Sequence, residues 1–357
     1  MARCLLLLLA ALSGATSAAL RGETVEEAAP AVLGDAAAPA ADVGGPCDRA
    51  GARPDVWSVV TRGLPEVDGM PARARPAVER LDADGRWRRD DVAGILANPR
   101  QPLLVFLHGN RYDRAAAREQ GMMLARRTGS ICPEASQMRT VIFSWPSDKQ
   151  GILLRDSRRK YRRAQTEGHY LAWFLSQVEP DRPVAIVGYS YGALIALEAL
   201  EDLVQAQAAG REGVQPWIGR EAPLNLVLVA AAVRHDALAP RGPYRETLPC
   251  IDRLTVLHNS DDMALRFFEL VDRNLRTDAL GHRGMPAAWV AGRAAFTQVD
   301  AAGIVGSSHR LSDYLSSPCL MRRICAGAGT GLHARGDGAA SGPCAGPAQG
   351  PCGMADW

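Results

Sequence analysis

Val184 to Val187 is an unbroken apolar run, and it passes without a spacer into Gly188-Tyr189-Ser190-Tyr191-Gly192. Helical spacing begins directly beyond it, over Ala193 to Gln207. A strand that becomes a helix over so few residues must reverse sharply, which predicts strained backbone geometry at Ser190. The flanking glycines remove Cβ atoms that would strike the neighbouring strand and helix. Such a turn lifts the Ser190 hydroxyl above the sheet. It also sets the Tyr191 amide at a helix N-terminus, where it can donate to a developing oxyanion. A bare G-x-S-x-G pattern is common by chance; its place between a buried strand and a helix gives it weight.

The same alternation of short apolar runs and longer amphipathic ones extends along the chain. Strands are expected at Val56–Thr61, Leu103–Leu107, Val141–Ser144, Pro183–Gly188, Leu224–Ala230, Leu254–His258 and Ala295–Val299. Helices are expected at Arg114–Arg127, Arg158–Val178, Ala193–Gln207 and Met263–Leu275. This is the βαβ signature of a mostly parallel sheet with helices on both faces. Right-handed crossovers then bring every strand C-terminus to one rim, where ligands of open α/β sheets bind.

That rim selects further candidates. Acyl chemistry at Ser190 needs a second oxyanion donor. His108-Gly109-Asn110-Arg111 ends an earlier strand, so the Asn110 amide is the first choice and Arg111 the next. A base is needed beyond the last strands. Of the seven histidines, His108, His169 and His258 lie in or beside core elements, His333 in the C-terminal tail, and His235 and His282 in loops. His309, in Gly306-Ser307-Ser308-His309, follows the last strand on a loop able to reach back over the rim. An acid should fall between serine and histidine in chain order. Asn259-Ser260-Asp261-Asp262 ends a strand and supplies it: Asp262 is preferred over Asp261, which is left to cap the following helix, and Asp300 comes third. The basic stretch Arg155 to Arg163 could attract an acidic substrate but reads first as a solvated helix face.

Leu104 to Arg111, Ile142 to Asp148 and the Ser190 pentapeptide together resemble the α/β-hydrolase superfamily. More narrowly, they are similar to a family of bacterial serine-esterase-like hydrolases, known especially from exported planctomycete-type proteins. Asn259 to Leu265 resembles that family's acid-bearing turn, in which the last aspartate before the helix is the acid, implying Asp262. Ser308-His309 resembles its late histidine. The similarity spans about residues 55 to 318, and the pentapeptide departs from the commoner H-S-M-G form. It implies an α/β-hydrolase fold and serine hydrolase activity on an ester-type bond, with Ser190, His309 and Asp262 as catalytic residues.

The remaining features bound the setting. Arg3 followed by the apolar run Leu5 to Leu12 and small residues through Ala18 reads as a secretory signal, implying export. Residues 19–53 and 326–357 are rich in Ala, Pro and Gly and are expected as a disordered linker and tail around a domain at 54–325. No later stretch is long and apolar enough to cross a bilayer, so stable membrane insertion is not expected. A net charge of +2 gives no field for nucleic acid. Seven cysteines remain beyond residue 18: Cys47, Cys132, Cys250, Cys319, Cys325, Cys344 and Cys352. Export would permit disulfides, and Cys319 with Cys325 is a local pair to test. No Cys or His spacing points to a metal, and acyl transfer through serine needs no cofactor. The segment Arg234 to Ile251 is too short for a large lid, so an open site for a small ester or acyl substrate is expected. The alternative from another class is a catalytically silent binding or cell-surface protein on the same fold.

Overall fold

The computed structural model describes residues 53–132, 137–150, 153–271 and 277–329. The expected signal, linker and most of the tail lie outside the described residues. Nine strands form one sheet in the order β3-β2-β1-β5-β4-β6-β7-β8-β9. They are β1 (Asp55–Val60), β2 (Ala77–Leu81), β3 (Trp87–Asp90), β4 (Leu103–Leu107), β5 (Arg139–Ser144), β6 (Val184–Tyr189), β7 (Leu224–Val229), β8 (Arg253–His258) and β9 (Ala295–Asp300). From β1 through β5, β4, β6, β7 and β8 to β9 every pairing is parallel; only the β1–β2 and β2–β3 pairings are antiparallel. This is the α/β-hydrolase fold.

The central strands owe their place to composition. β4 (LLVFL), β5 (RTVIFS), β6 (VAIVGY) and β7 (LNLVLV) are buried at every residue, as strands covered on both faces must be. The main helices are α1 (Val92–Leu96), α2 (Arg114–Ile131), α3 (Leu153–Leu175), α4 (Tyr191–Ala208), α5 (Leu280–Arg283), α6 (Ala302–Val305), α7 (Leu311–Ser316) and α8 (Pro318–Ala328). α3 packs along α4 over one face, and α2 packs with α7 and α8 over the other. α8 continues three residues past the expected domain end at 325, with Ala328 buried.

Three sequence expectations change. The β2–β3 hairpin was not foreseen. Its turn is built by Asp82, whose carboxylate accepts from the Asp84 and Arg86 amides, and by Gly85 at φ 78°. Its strands carry exposed Arg80, Arg88 and Arg89, so they lack an apolar signature, yet charge of this kind suits a sheet edge. The helix expected over Met263–Leu275 is a 3-10 turn at Leu265–Leu270, with Phe267 off helical geometry; residues 272–276 lie outside the described residues. The third concerns cysteine. Cys325 is bonded to Cys132, across a sequence separation of 193, with Cα atoms 6.5 Å apart. Cys319 and Cys325 sit six positions apart on α8, a rise of about 9 Å, too far for a bridge. Cys47, Cys344 and Cys352 lie outside the described residues. Among the described residues, no helix is long and apolar enough to cross a membrane.

Candidate active site

The register of the parallel strands sets the site. Leu107 of β4 lies opposite Gly188 of β6, Val229 of β7 opposite Leu257 of β8, and His258 of β8 opposite Asp300 of β9. The loops after β4, β6, β8 and β9 therefore leave the sheet side by side. At the end of β6, Ser190 has φ 54° and ψ −118°, a conformation costing on the order of 1–3 kcal/mol that neighbours must hold. Its amide donates to the Val229 carbonyl at 3.0 Å, and its carbonyl accepts from Ala193 and Ala232, each at 3.1 Å. The flanking glycines are required by close approach. A Cβ at Gly192 would stand 2.1 Å from the Leu107 carbonyl oxygen, and one at Gly188 would stand 2.9 Å from Ala193 backbone atoms.

His309 arrives from beyond β9 and α6. Its Nε2 is 3.0 Å from Ser190 Oγ, and its Nδ1 is 2.6 Å from Asp262 Oδ2. The other carboxylate oxygen of Asp262 accepts from the Ala264 and Leu265 amides, each at 2.9 Å. Asp262 thus both faces the imidazole and caps the following turn, a task expected of Asp261. Asp261 is exposed, and the carboxylate at His309 Nδ1 is that of Asp262. Asp300 belongs to a separate cluster, accepting from Ser260 and the Ala302 amide. With Nδ1–H donating to Asp262, the Nε2 lone pair is left to accept from the Ser190 hydroxyl. Ser190 and His309 keep only 5% and 9% exposure, so the pair is more enclosed than the short Arg234–Ile251 segment led us to expect. That segment folds onto α4 instead, where Tyr244 Oη donates to Glu198 at 2.6 Å.

On the β4 side the two oxyanion candidates separate. The Arg111 amide is committed to the Ser147 carbonyl at 2.8 Å and Asn110 Oδ1 at 2.9 Å. The Asn110 amide donates to no described residue. Gly109, just before it, lies against the Ser190 turn: a Cβ there would stand 3.0 Å from Ser190 Cβ. The Tyr191 amide is in the first turn of α4, where helical amides lack an intrahelical acceptor. Arg111 adopts φ 67°, which turns the chain here. His108 is structural. Its Nδ1 donates to the Gly109 carbonyl at 2.9 Å, its Nε2 accepts from the Trp145 amide at 3.2 Å, and its ring stacks on Trp145. Burial lowers its pKa to about 3, so it clamps β4 to β5 as a neutral ring.

Two side chains that sequence reasoning passed over hold the imidazole loop. Tyr189 Oη donates to the His309 carbonyl; burial, chiefly, raises its phenol well above the ordinary value, keeping it a donor. Asn259 Nδ2 donates to the Gly306 carbonyl at 2.8 Å and the Ser308 carbonyl at 3.1 Å, tying the acid loop to the histidine loop. Asn259 could have been singled out, since an asparagine at a strand end readily braces a neighbouring loop; nothing in the sequence marks the Tyr189 contact. His235 and His282 lie elsewhere, on Thr277 Oγ1 at 2.8 Å and the Asn259 carbonyl at 3.3 Å. Among the described residues no cluster of His, Cys, Asp and Glu is arranged to hold a metal ion.

Fold and site together define an α/β hydrolase. The chain belongs to the family described as alpha/beta hydrolase of unknown function (DUF900), whose model matches residues 88–326. No curated protein matches it. Among solved structures it is similar to an esterase from Pyrobaculum calidifontis (15% identity, 76% of this chain and 85% of that one, TM-score 0.32). It is also similar to esterase B from Lactobacillus rhamnosis (16% identity, 76% and 85%, TM-score 0.35). A third is a putative hydrolase from Agrobacterium vitis S4 (15% identity, 72% and 94%, TM-score 0.35). At such identities and TM-scores none of these likenesses bears on the chemistry.

Proposed function

We propose that the protein is a serine hydrolase that cleaves an ester-type bond in a small molecule through an acyl-enzyme on Ser190. The observation that carries this reading is the chain of contacts from Asp262 through His309 to Ser190, at 2.6 Å and 3.0 Å. His309 Nε2 takes the hydroxyl proton as Ser190 Oγ bonds to the ester carbonyl carbon. The carbonyl oxygen gains charge and is held by the Tyr191 and Asn110 amides. The imidazolium, stabilised by Asp262, returns the proton to the departing alkoxide, and the C–O bond breaks. Water then repeats the sequence on the acyl-enzyme and frees the acid and Ser190. Export fits this reading, because the Cys132–Cys325 bond persists in an oxidising compartment. Ser190→Ala is expected to lower kcat on a short p-nitrophenyl ester by about 10^5–10^6-fold and to abolish labelling by a fluorophosphonate, with the thermal midpoint nearly unchanged. Equal turnover in that variant sinks the mechanism. A wild-type protein that takes no label and turns over no ester points to the silent scaffold instead.

A further inference from the structure

The basic stretch at the start of α3 is two stripes. Arg155, Arg159 and Arg162 face solvent. Asp156, Lys160, Arg163 and Glu167 recur at helical spacing on the opposite side and are all buried. Three of these four are satisfied. Lys160 Nζ donates to the Pro146 carbonyl at 2.9 Å, and Arg163 Nε donates to Glu167 Oε1 at 2.8 Å. Asp156 is the exception. It is 3% exposed, and among the described residues neither of its carboxylate oxygens finds a hydrogen-bond donor; the neighbouring Ser157 Oγ is likewise buried and without a described partner. Arg111 Nε and Nη1 and Asn110 Nδ2, on the oxyanion loop, are unpartnered as well. Gly109, beside Asn110 in the chain, packs against the Ser190 turn, where a Cβ would stand 3.0 Å from Ser190 Cβ. Tyr191 Oη donates to the Ser157 carbonyl at 3.2 Å, tying this turn of α3 to the elbow. Burial lowers the Arg111 pKa while the Asp156 charge opposes that shift, so the two charges sense each other without forming an ion pair. Buried polar groups in native proteins are satisfied almost without exception, so a cluster of orphans calls for a partner that the described residues do not supply.

We propose that Asp156, Arg111, Ser157 and Asn110 form a subsite for a polyhydroxylated portion of the ester, such as a glycerol or sugar moiety. The proposal deepens the serine-hydrolase reading and rests on it. The carboxylate only accepts, the guanidinium and the amide NH2 only donate, and the Ser157 hydroxyl does both. Vicinal hydroxyls answer all of them. A lone anion would face Asp156, and a lone cation would face Arg111. The test compares kcat/KM on matched acetates of glycerol, methyl glucoside and alkyl alcohols, with one carboxylate-bearing and one ammonium-bearing acetate. Wild type is expected to favour a hydroxylated ester over its alkyl match by at least about tenfold. Asp156→Asn and Arg111→Gln should each bring that ratio toward unity. The ratio cancels losses common to both esters, and fluorophosphonate labelling reports the nucleophile separately. Which polyol acetate leads distinguishes glycerol from sugar. Equal rates on the alkyl ester, a preference for either charged acetate, or a ratio unmoved in both variants overturns the subsite. If wild type neither labels nor turns over, the Ser190 reading fails by itself. Titration of wild type and Asp156→Asn with methyl glucoside and glycerol, followed by NMR, then decides the subsite: binding lost in the variant upholds it, and no binding to wild type ends it.

Discussion

Two buried carboxylates are tied to the Ser190 turn, Asp262 from the β8 side through His309 and Asp156 from α3 through the neighbouring Ser157 carbonyl and the charge of Arg111 on the loop after β4, and their surroundings are opposite. Asp262, fully buried, has each oxygen occupied: Oδ1 by two backbone amides and Oδ2 by His309. Asp156, almost as buried, has neither occupied. The first is held by its own protein before any substrate arrives, which is what a group that orients an imidazole requires. The second senses the Lys160 and Arg111 charges but accepts a hydrogen bond from no described residue. On the proposed reading the β8 side is finished machinery, and the β4 side, where Arg111 and Asp156 sense each other, is left open for recognition.

The largest expected effect breaks the finished side. Asp262→Asn keeps an oxygen for the Ala264 and Leu265 amides but offers His309 Nδ1 an amide NH2 or a weaker acceptor. It favours the wrong tautomer, so kcat should fall about 10^4-fold, measured under saturating ester. KM should move little, because Asp262 does not reach the substrate. A loss of less than tenfold would mean that the imidazole is held without its carboxylate, and the contrast between the two acids would lose its meaning.

A smaller cut tests how that side is braced. Tyr189→Phe removes the hydroxyl that donates to the His309 carbonyl and leaves the ring beside the imidazole. One net hydrogen bond, about 1 kcal/mol, is lost from the loop rather than from the reacting atoms. The expected result is a fall of roughly fivefold in kcat with KM unchanged, the rate equivalent of that energy. A raised KM with unchanged kcat would place Tyr189 on the substrate instead.

These contrasts also explain what could be read from the chain. Ser190 and Asp262 stand close beyond apolar strands, with glycines or paired aspartates beside them, while His309 follows β9 only after α6; the parallel topology brings these strand ends together. The division of labour between Asp261 and Asp262 was not legible, because a carboxylate can serve a cap and an imidazole at once. The Cys132–Cys325 bond was not legible either: it depends on α2 and α8 packing over one face of the sheet, and local spacing favours a pair that a helix keeps apart. Asp156 was hidden differently. Counted by charge, Arg155 to Arg163 is one basic run; read at the helical period it is two stripes, and only the inward one carries information.

The finest test separates the two acids by the sign of a stability change. Removing the charge at Asp262 withdraws a partner from His309, so Asp262→Asn should lower the thermal midpoint. Asp156→Asn should leave it unchanged or raise it, because a carboxylate buried without hydrogen-bond donors is costly to desolvate. The carboxamide introduced at that position would carry its own donors and no charge, and so would suffer less from burial. A rise of a few degrees in a scan of the ligand-free protein, with the polyol preference lost in the same variant, would show stability given up for recognition at this position. A clear drop would mean that Asp156 is held by the protein after all, and the β4 side would have to be read as finished too.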